Sequence, residues 1–172
     1  MLLDLGPNLP PPTATLAALP DGAAGTRATL KLMARLAREG KKALPVRLAA
    51  QQLTQSLTQR DYPGEVRALH AFVRDRIRYV RDIRGVETLQ DAERTLTIKS
   101  GDCDDKSVLL ASLLESIGHR TRFHAVGFAP GSYSHVYAET LLGSKWIALE
   151  TTENWKAGRA PANVVAHMIE NV

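Results

Sequence analysis

A single cysteine, Cys103, stands in the 172 residues. No disulfide can form within the chain, and no multi-cysteine zinc site exists. That leaves the thiol as either an inert buried group or a nucleophile, and its neighbours decide between them. It lies in Gly101-Asp102-Cys103-Asp104-Asp105-Lys106-Ser107, at the first turn of a predicted apolar helix. The unpaired N–H groups and partial positive charge of a helix N-terminus favour a thiolate, and can donate to an oxyanion forming on a substrate carbonyl. Asp102, Asp104 and Asp105 suit helix capping, but their charges oppose a thiolate. Thiol chemistry here therefore requires an imidazolium close to the sulfur.

His135 is the best source of it. It opens a predicted strand in Ser132-Tyr133-Ser134-His135-Val136-Tyr137-Ala138-Glu139, and a strand edge holds an imidazole rigidly. Fifteen residues on, Trp146-Ile147-Ala148-Leu149-Glu150 closes the partner strand. A short turn between the two strands would bring His135 and Glu150 side by side, where the carboxylate fixes the tautomer and stabilises the imidazolium. The other histidines fit less well. His70 reads as a surface or core-edge side chain, His119 as a surface residue after a helix stop, His124 as a packed core histidine, and His167 lies near the end. No metal site is expected, since there is no His-Glu-x-x-His pattern and the acids lack calcium-loop spacing.

The elements that must position these groups follow from periodicity. Residues 1–25 are a Pro-rich arm, centred on Pro10-Pro11-Pro12, expected to be extended or disordered unless bound. Helices are expected over 26–39, 46–60 and from about 64 to 77, with Asp61-Tyr62-Pro63-Gly64 as a turn before the third. A loop with a short helix over 91–96 leads to a buried helix over 103–117, which Gly118 ends. Strands are expected over 122–128, 135–141 and 145–149, with Gly143-Ser144 making an antiparallel hairpin of the last two. A short helix is expected over 162–169. Helices followed by a small antiparallel sheet define an α+β class, with 26–172 as one domain whose core is about 66–150.

Composition agrees with a folded domain: 44% hydrophobic and 23% charged residues. The start of the chain lacks a basic region followed by a continuous apolar stretch, and no apolar run approaches a membrane span. A soluble, cytoplasmic protein with no membrane partner is expected. The net charge of +4 is concentrated from Arg67 to Arg84, where Arg67, Arg74, Arg76, Arg78, Arg81 and Arg84 accompany only Asp75 and Asp82. A solvated helix face explains this stretch more simply than nucleic acid, because no nucleic-acid motif accompanies it. An acidic substrate or partner would also fit it.

The Gly101-Asp102-Cys103-Asp104-Asp105 segment, the helix running to Ser116-Ile117-Gly118-His119-Arg120, Ser134-His135-Val136-Tyr137 and Trp146-Ile147-Ala148-Leu149-Glu150 resemble the core of bacterial transglutaminase-like proteins. The resemblance covers about 66–150 and includes the order Cys, His, acid. It implies a papain-like core with a buried Cys-bearing helix on a small antiparallel sheet. It also implies a Cys103–His135–Glu150 triad and no cofactor. Family members include transglutaminases, peptidases, deamidases and inactive relatives, so the implied activity is acyl transfer from an amide through a thioester, resolved by water or by an amine. The implied partner is a protein or peptide substrate. The phrasing Asp-Tyr-Pro-Gly-Glu, Val-Glu-Thr-Leu-Gln and Ser-His-Val-Tyr is similar to forms encoded in phages and prophages. This opens an alternative: an inactive module with a binding role in a phage particle, partnering phage structural proteins. The family's third member is usually Asp, whereas Glu150 stands here. Gln90 or Tyr79 would supply a second oxyanion donor.

Overall fold

The computed structural model describes residues 14–16, 22–81 and 88–172. Most of the Pro-rich arm, with Asp82, Arg84, Val86 and Glu87 of the sequence motifs, lies outside the described residues. Of the arm, Ala14–Leu16 form strand β1, paired antiparallel with β3 (Thr88–Gln90).

The helical layer is built first along the chain. Helix α1 (Gly22–Gly40) buries Leu30, Met33, Leu36 and Ala37, as its periodicity predicts. Helix α2 (Leu44–Thr54) stops earlier than expected. Past Thr54 the helical ladder gives way to a tighter turn, with the Leu57 N–H on the Thr54 carbonyl at 3.0 Å. Helix α3 (Tyr62–Arg76) absorbs the Asp-Tyr-Pro-Gly cluster read as a turn. Asp61 is its N-cap and accepts the Gly64 N–H at 2.9 Å, and the proline stands in the first turn, where its missing N–H is no loss. Strand β2 (Arg78–Tyr79) then runs parallel to β4 (Ser100–Gly101), with α4 (Ala92–Ile98) between β3 and β4.

Helix α5 (Cys103–Ser116) is the centre of the molecule, packed against α1 to α4 and against the sheet. Val108, Leu109, Leu110, Leu113 and Leu114 are all fully buried, so this helix is apolar on every side. Burial of each such side chain stabilises the fold by roughly 1.5–3 kcal/mol. Gly118, at φ +100°, follows the helix and takes the left-handed conformation that ends it.

The sheet carries β5 (Thr121–Gly127), β6 (His135–Leu142) and β7 (Lys145–Leu149) as expected, each within a residue or so of its predicted bounds. It has a fourth strand, β8 (Ala166–Asn171), where a short helix was expected. There Ala166 and Met168 are buried while His167 and Ile169 are exposed, a period of two that pairs antiparallel with β5. The order is β7-β6-β5-β8. Phe123, Ala125, Val136 and Ala138 join the main core. Their strand neighbours, among them His135, Tyr137 and Glu139, alternate to the opposite face.

Candidate active site

The start of α5 is fixed by a capping box. Asp102 Oδ1 accepts the N–H groups of Asp104 and Asp105 at 3.0 and 3.1 Å, and Asp105 Oδ2 reaches back to the Asp102 N–H at 3.3 Å. Asp105 is itself tied to β3, accepting the Gln90 N–H at 2.8 Å and Gln90 Nε2 at 2.6 Å. Gly101 is required beside it, because a Cβ there would lie 2.5 Å from the Asp105 Cβ. The box engages two of the first-turn N–H groups that were expected to face an oxyanion. The Cys103 N–H carries no such bond among the described residues.

Cys103 is half-buried. Its Sγ lies 3.4 Å from Asp104 Oδ1, and the backbone N–H of Val136, on β6, also donates to it. The helix N-terminus was expected to favour a thiolate, but the balance goes the other way. Burial comes first, then the Asp104 and Asp102 carboxylates, and together they push the thiol well above its ordinary range; only the Val136 N–H works against them.

His135 opens β6 next to Val136, and Glu150 follows the last residue of β7. The hairpin register pairs Ala138 with Leu149, so Glu150 reaches the β6 edge on the face that carries His135. His135 Nε2 lies 2.5 Å from Glu150 Oε2. The other carboxylate oxygen accepts the Thr152 N–H and the Thr152 hydroxyl, both at 2.7 Å. Burial works to raise the Glu150 carboxyl, but the hydrogen bonds from His135 and Thr152 outweigh it and hold the group below its usual range. Glu150 is therefore an anion at neutral pH.

Other residues fall differently from their sequence reading. His70, read as surface or core-edge, is 2% exposed, and its Nε2 lies 2.5 Å from the Glu150 carbonyl oxygen. Burial is the largest influence on His70 and keeps its pKa below the ordinary value, so the neutral ring donates to that carbonyl. His119, read as surface, is buried against Glu65 Oε2 at 2.8 Å. His124 lies on the outer sheet face with Glu139 and His167, its Nε2 3.0 Å from His167 Nδ1. Gln90 Nε2 donates to Asp105 and, at 3.4 Å, to the Ser100 carbonyl, so neither amide hydrogen remains for an oxyanion. Tyr79 is 42% exposed and pairs with Gly101. Donor atoms of Asp102, Cys103 and Asp104 come within 4.8 Å of one another, but Asp102 is committed to the cap. The sequence reading missed Thr152 and His70. A hydroxyl residue two places after an acid was the available signal for Thr152, and none existed for His70.

The sequence profile of the transglutaminase-like superfamily matches residues 47–151. The chain belongs to that superfamily. A candidate cysteine protease from Cytophaga hutchinsonii is similar to it at 17% identity with a TM-score of 0.51, over 73% of this chain and 46% of its own. A candidate protease from Parabacteroides distasonis is similar at 15% identity with a TM-score of 0.53, over 72% of this chain and 26% of its own. At these identities the likeness establishes the fold, a transglutaminase-like core of papain type, and the chain spans less than half the length of either protein. No curated protein matches the chain at a significant level. Among the described residues, no helix is long and apolar enough to cross a membrane.

Proposed function

We propose that the chain is a cysteine hydrolase or acyltransferase acting on amide bonds of peptides or proteins, with Cys103 as nucleophile, His135 as base and Glu150 as the residue that orients the base. The observation that carries this reading is the His135–Glu150 hydrogen bond, held on the strand whose next N–H meets Cys103 Sγ. With Glu150 ionised, Nε2 of His135 bears the ring proton and donates it to the carboxylate. The lone pair is then on Nδ1, which carries no hydrogen bond among the described residues. Because burial and two carboxylates raise the thiol, the resting sulfur is protonated. In the reaction, Nδ1 takes the Cys103 proton as Sγ attacks the carbonyl carbon, and the electron pair moves to the carbonyl oxygen, toward the Cys103 N–H. Collapse breaks the C–N bond, and Nδ1 returns the proton to the leaving amine. The thioester is resolved by water, as in a peptidase or deamidase, or by a second amine, as in cross-linking.

The raised thiol supports a second reading, an inactive module of the same fold that binds a partner. The two are separated by incubating wild type and Cys103→Ala with a peptide mixture and a fluorescent primary amine, then scoring new termini, glutamine-to-glutamate conversion and amine incorporation by mass spectrometry. Wild type should show one of these, reduced at least ~100-fold in the variant. Equal turnover by the variant removes the nucleophile, and peptide binding without turnover by either protein favours the module.

A further inference from the structure

Beside the candidate site, a cavity of about 380 Å³ opens between the C-terminal end of α3 and the segment that follows Glu150. Ligand sites are typically about 300–1,000 Å³. Its lining is charged: Arg74, Arg76, Arg78 and Lys106 against Asp75 and Glu153. Arg74 and Asp75 cancel, since the guanidinium Nε and one Nη hold the two carboxylate oxygens at 2.7 and 2.8 Å. The cavity is then left with Arg76, Arg78 and Lys106 facing Glu153. Neither the Arg76 nor the Arg78 guanidinium has a hydrogen bond or ion pair among the described residues.

Lys106 forms the deepest part of this charge. It is 1% exposed, and its Nζ donates to the Ile77 carbonyl at 2.8 Å and the Arg74 carbonyl at 3.5 Å. Burial is the main cause that lowers its pKa, to about 8, so the ammonium is still charged at neutral pH. Its hydrogen bonds go only to carbonyls, and the Glu150 and Asp75 carboxylates act on it through space, so it adds positive charge to the cavity wall without a direct ion pair.

The cavity and the candidate site share their walls. Thr152 lines the cavity and donates both its hydrogens to Glu150. Tyr79, also in the lining, pairs with Gly101, two residues before Cys103. The cavity therefore adjoins the segments that carry Glu150 and lead to Cys103. This gives a role to the arginine-rich stretch that the triad leaves unexplained. A nucleic-acid backbone suits the cavity less well, because Asp75 and Glu153 interrupt the basic surface, whereas a single carboxylate needs only the two free arginines.

We propose that this cavity is a subsite for a peptide carboxylate, so that the preferred substrates are acidic peptides; the inference rests on the proposed reaction at Cys103. The test is titration calorimetry at neutral pH and low salt with four probes: acetyl-tetraglutamate amide, acetyl-tetraglutamine with a free C-terminus, acetyl-tetraglutamine amide, and a short DNA duplex. Wild type and Cys103→Ala should both bind a carboxylate-bearing peptide. Arg76→Gln/Arg78→Gln should weaken that binding by roughly tenfold or more, as expected for lost charge-assisted hydrogen bonds. Both arginines are exposed, so the double variant is expected to fold. Binding of the glutamate amide alone assigns side-chain carboxylates, and binding of the glutamine acid alone assigns a chain end. The proposal is overturned if the uncharged peptide binds as tightly, if the double variant binds unchanged, or if only the duplex binds. Arginine-dependent peptide binding without turnover would instead sink the reaction at Cys103 and leave the subsite standing.

Discussion

At the scale of single residues, the question is whether a glutamate can do what an aspartate does in related sites. The extra methylene of Glu150 lengthens the side chain by about a bond, and an orientation error of that size is costly in catalysis. The structure removes the freedom that would cause such an error. One carboxylate oxygen is held by His135, the other by the N–H and hydroxyl of Thr152, and the backbone carbonyl by His70. The His135–Glu150 pair could be read from sequence because each has a chemically distinctive type and lies at an element boundary, one after Gly131 and the other at a strand end. Thr152 and His70 could not. One is an ordinary loop threonine, and the other contacts Glu150 across 80 residues of chain, a separation no local pattern encodes.

At the scale of elements, the start of α5 decides where the thiol stands. Asp105 folds back over Gly101 to close the capping box and to hold Gln90. Gly101→Ala would place a Cβ 2.5 Å from the Asp105 Cβ, so the box must open or the strand must shift. We expect a loss of about 1–3 kcal/mol in urea denaturation, with slower thiol labelling alongside it. Wild-type stability in this variant would mean that the box does not fix the site. The periodicity of α5 and the β6–β7 hairpin were legible because their apolar patterns are long or bounded by a tight Gly143-Ser144 turn. Strand β8 was not, since two buried residues in six fit a helix end as well as a strand, and its partner β5 lies about forty residues upstream. The Pro63-Gly64 pair misled for a related reason: it breaks helices in their interior, yet Asp61 makes it part of a first turn.

At the scale of the whole molecule, the site joins the helical layer to the sheet. His70 on α3 grips the backbone at Glu150, and this link titrates. Its folded pKa lies below the ordinary 6.5, so the folded state resists protonation. Stability is complete above pH 6.5 and falls as pH drops below it toward the folded value. Glu150 and Glu139 are also held below 4.5, and their contribution is lost later, as pH falls through their depressed folded values. Denaturation followed from pH 8 to 4 should therefore show a first decline beginning near 6.5, absent in His70→Gln, and a second below 4.5. A wild-type profile flat down to the carboxylate range would contradict the role of His70.

The central claim is that His135 activates Cys103, and the iodoacetamide labelling rate of Cys103 from pH 5 to 9 tests it most directly, in wild type and His135→Ala. In the variant, only the Val136 N–H still opposes burial and the Asp102 and Asp104 carboxylates, so labelling should rise only above the free-thiol range of about 8.5. Wild type at pH 7 should react at least ~10-fold faster than the variant, because Nδ1 accepts the proton as sulfur attacks. Superimposable profiles would mean that the imidazole does not reach the thiol, and that Cys103 is an inert residue of the core.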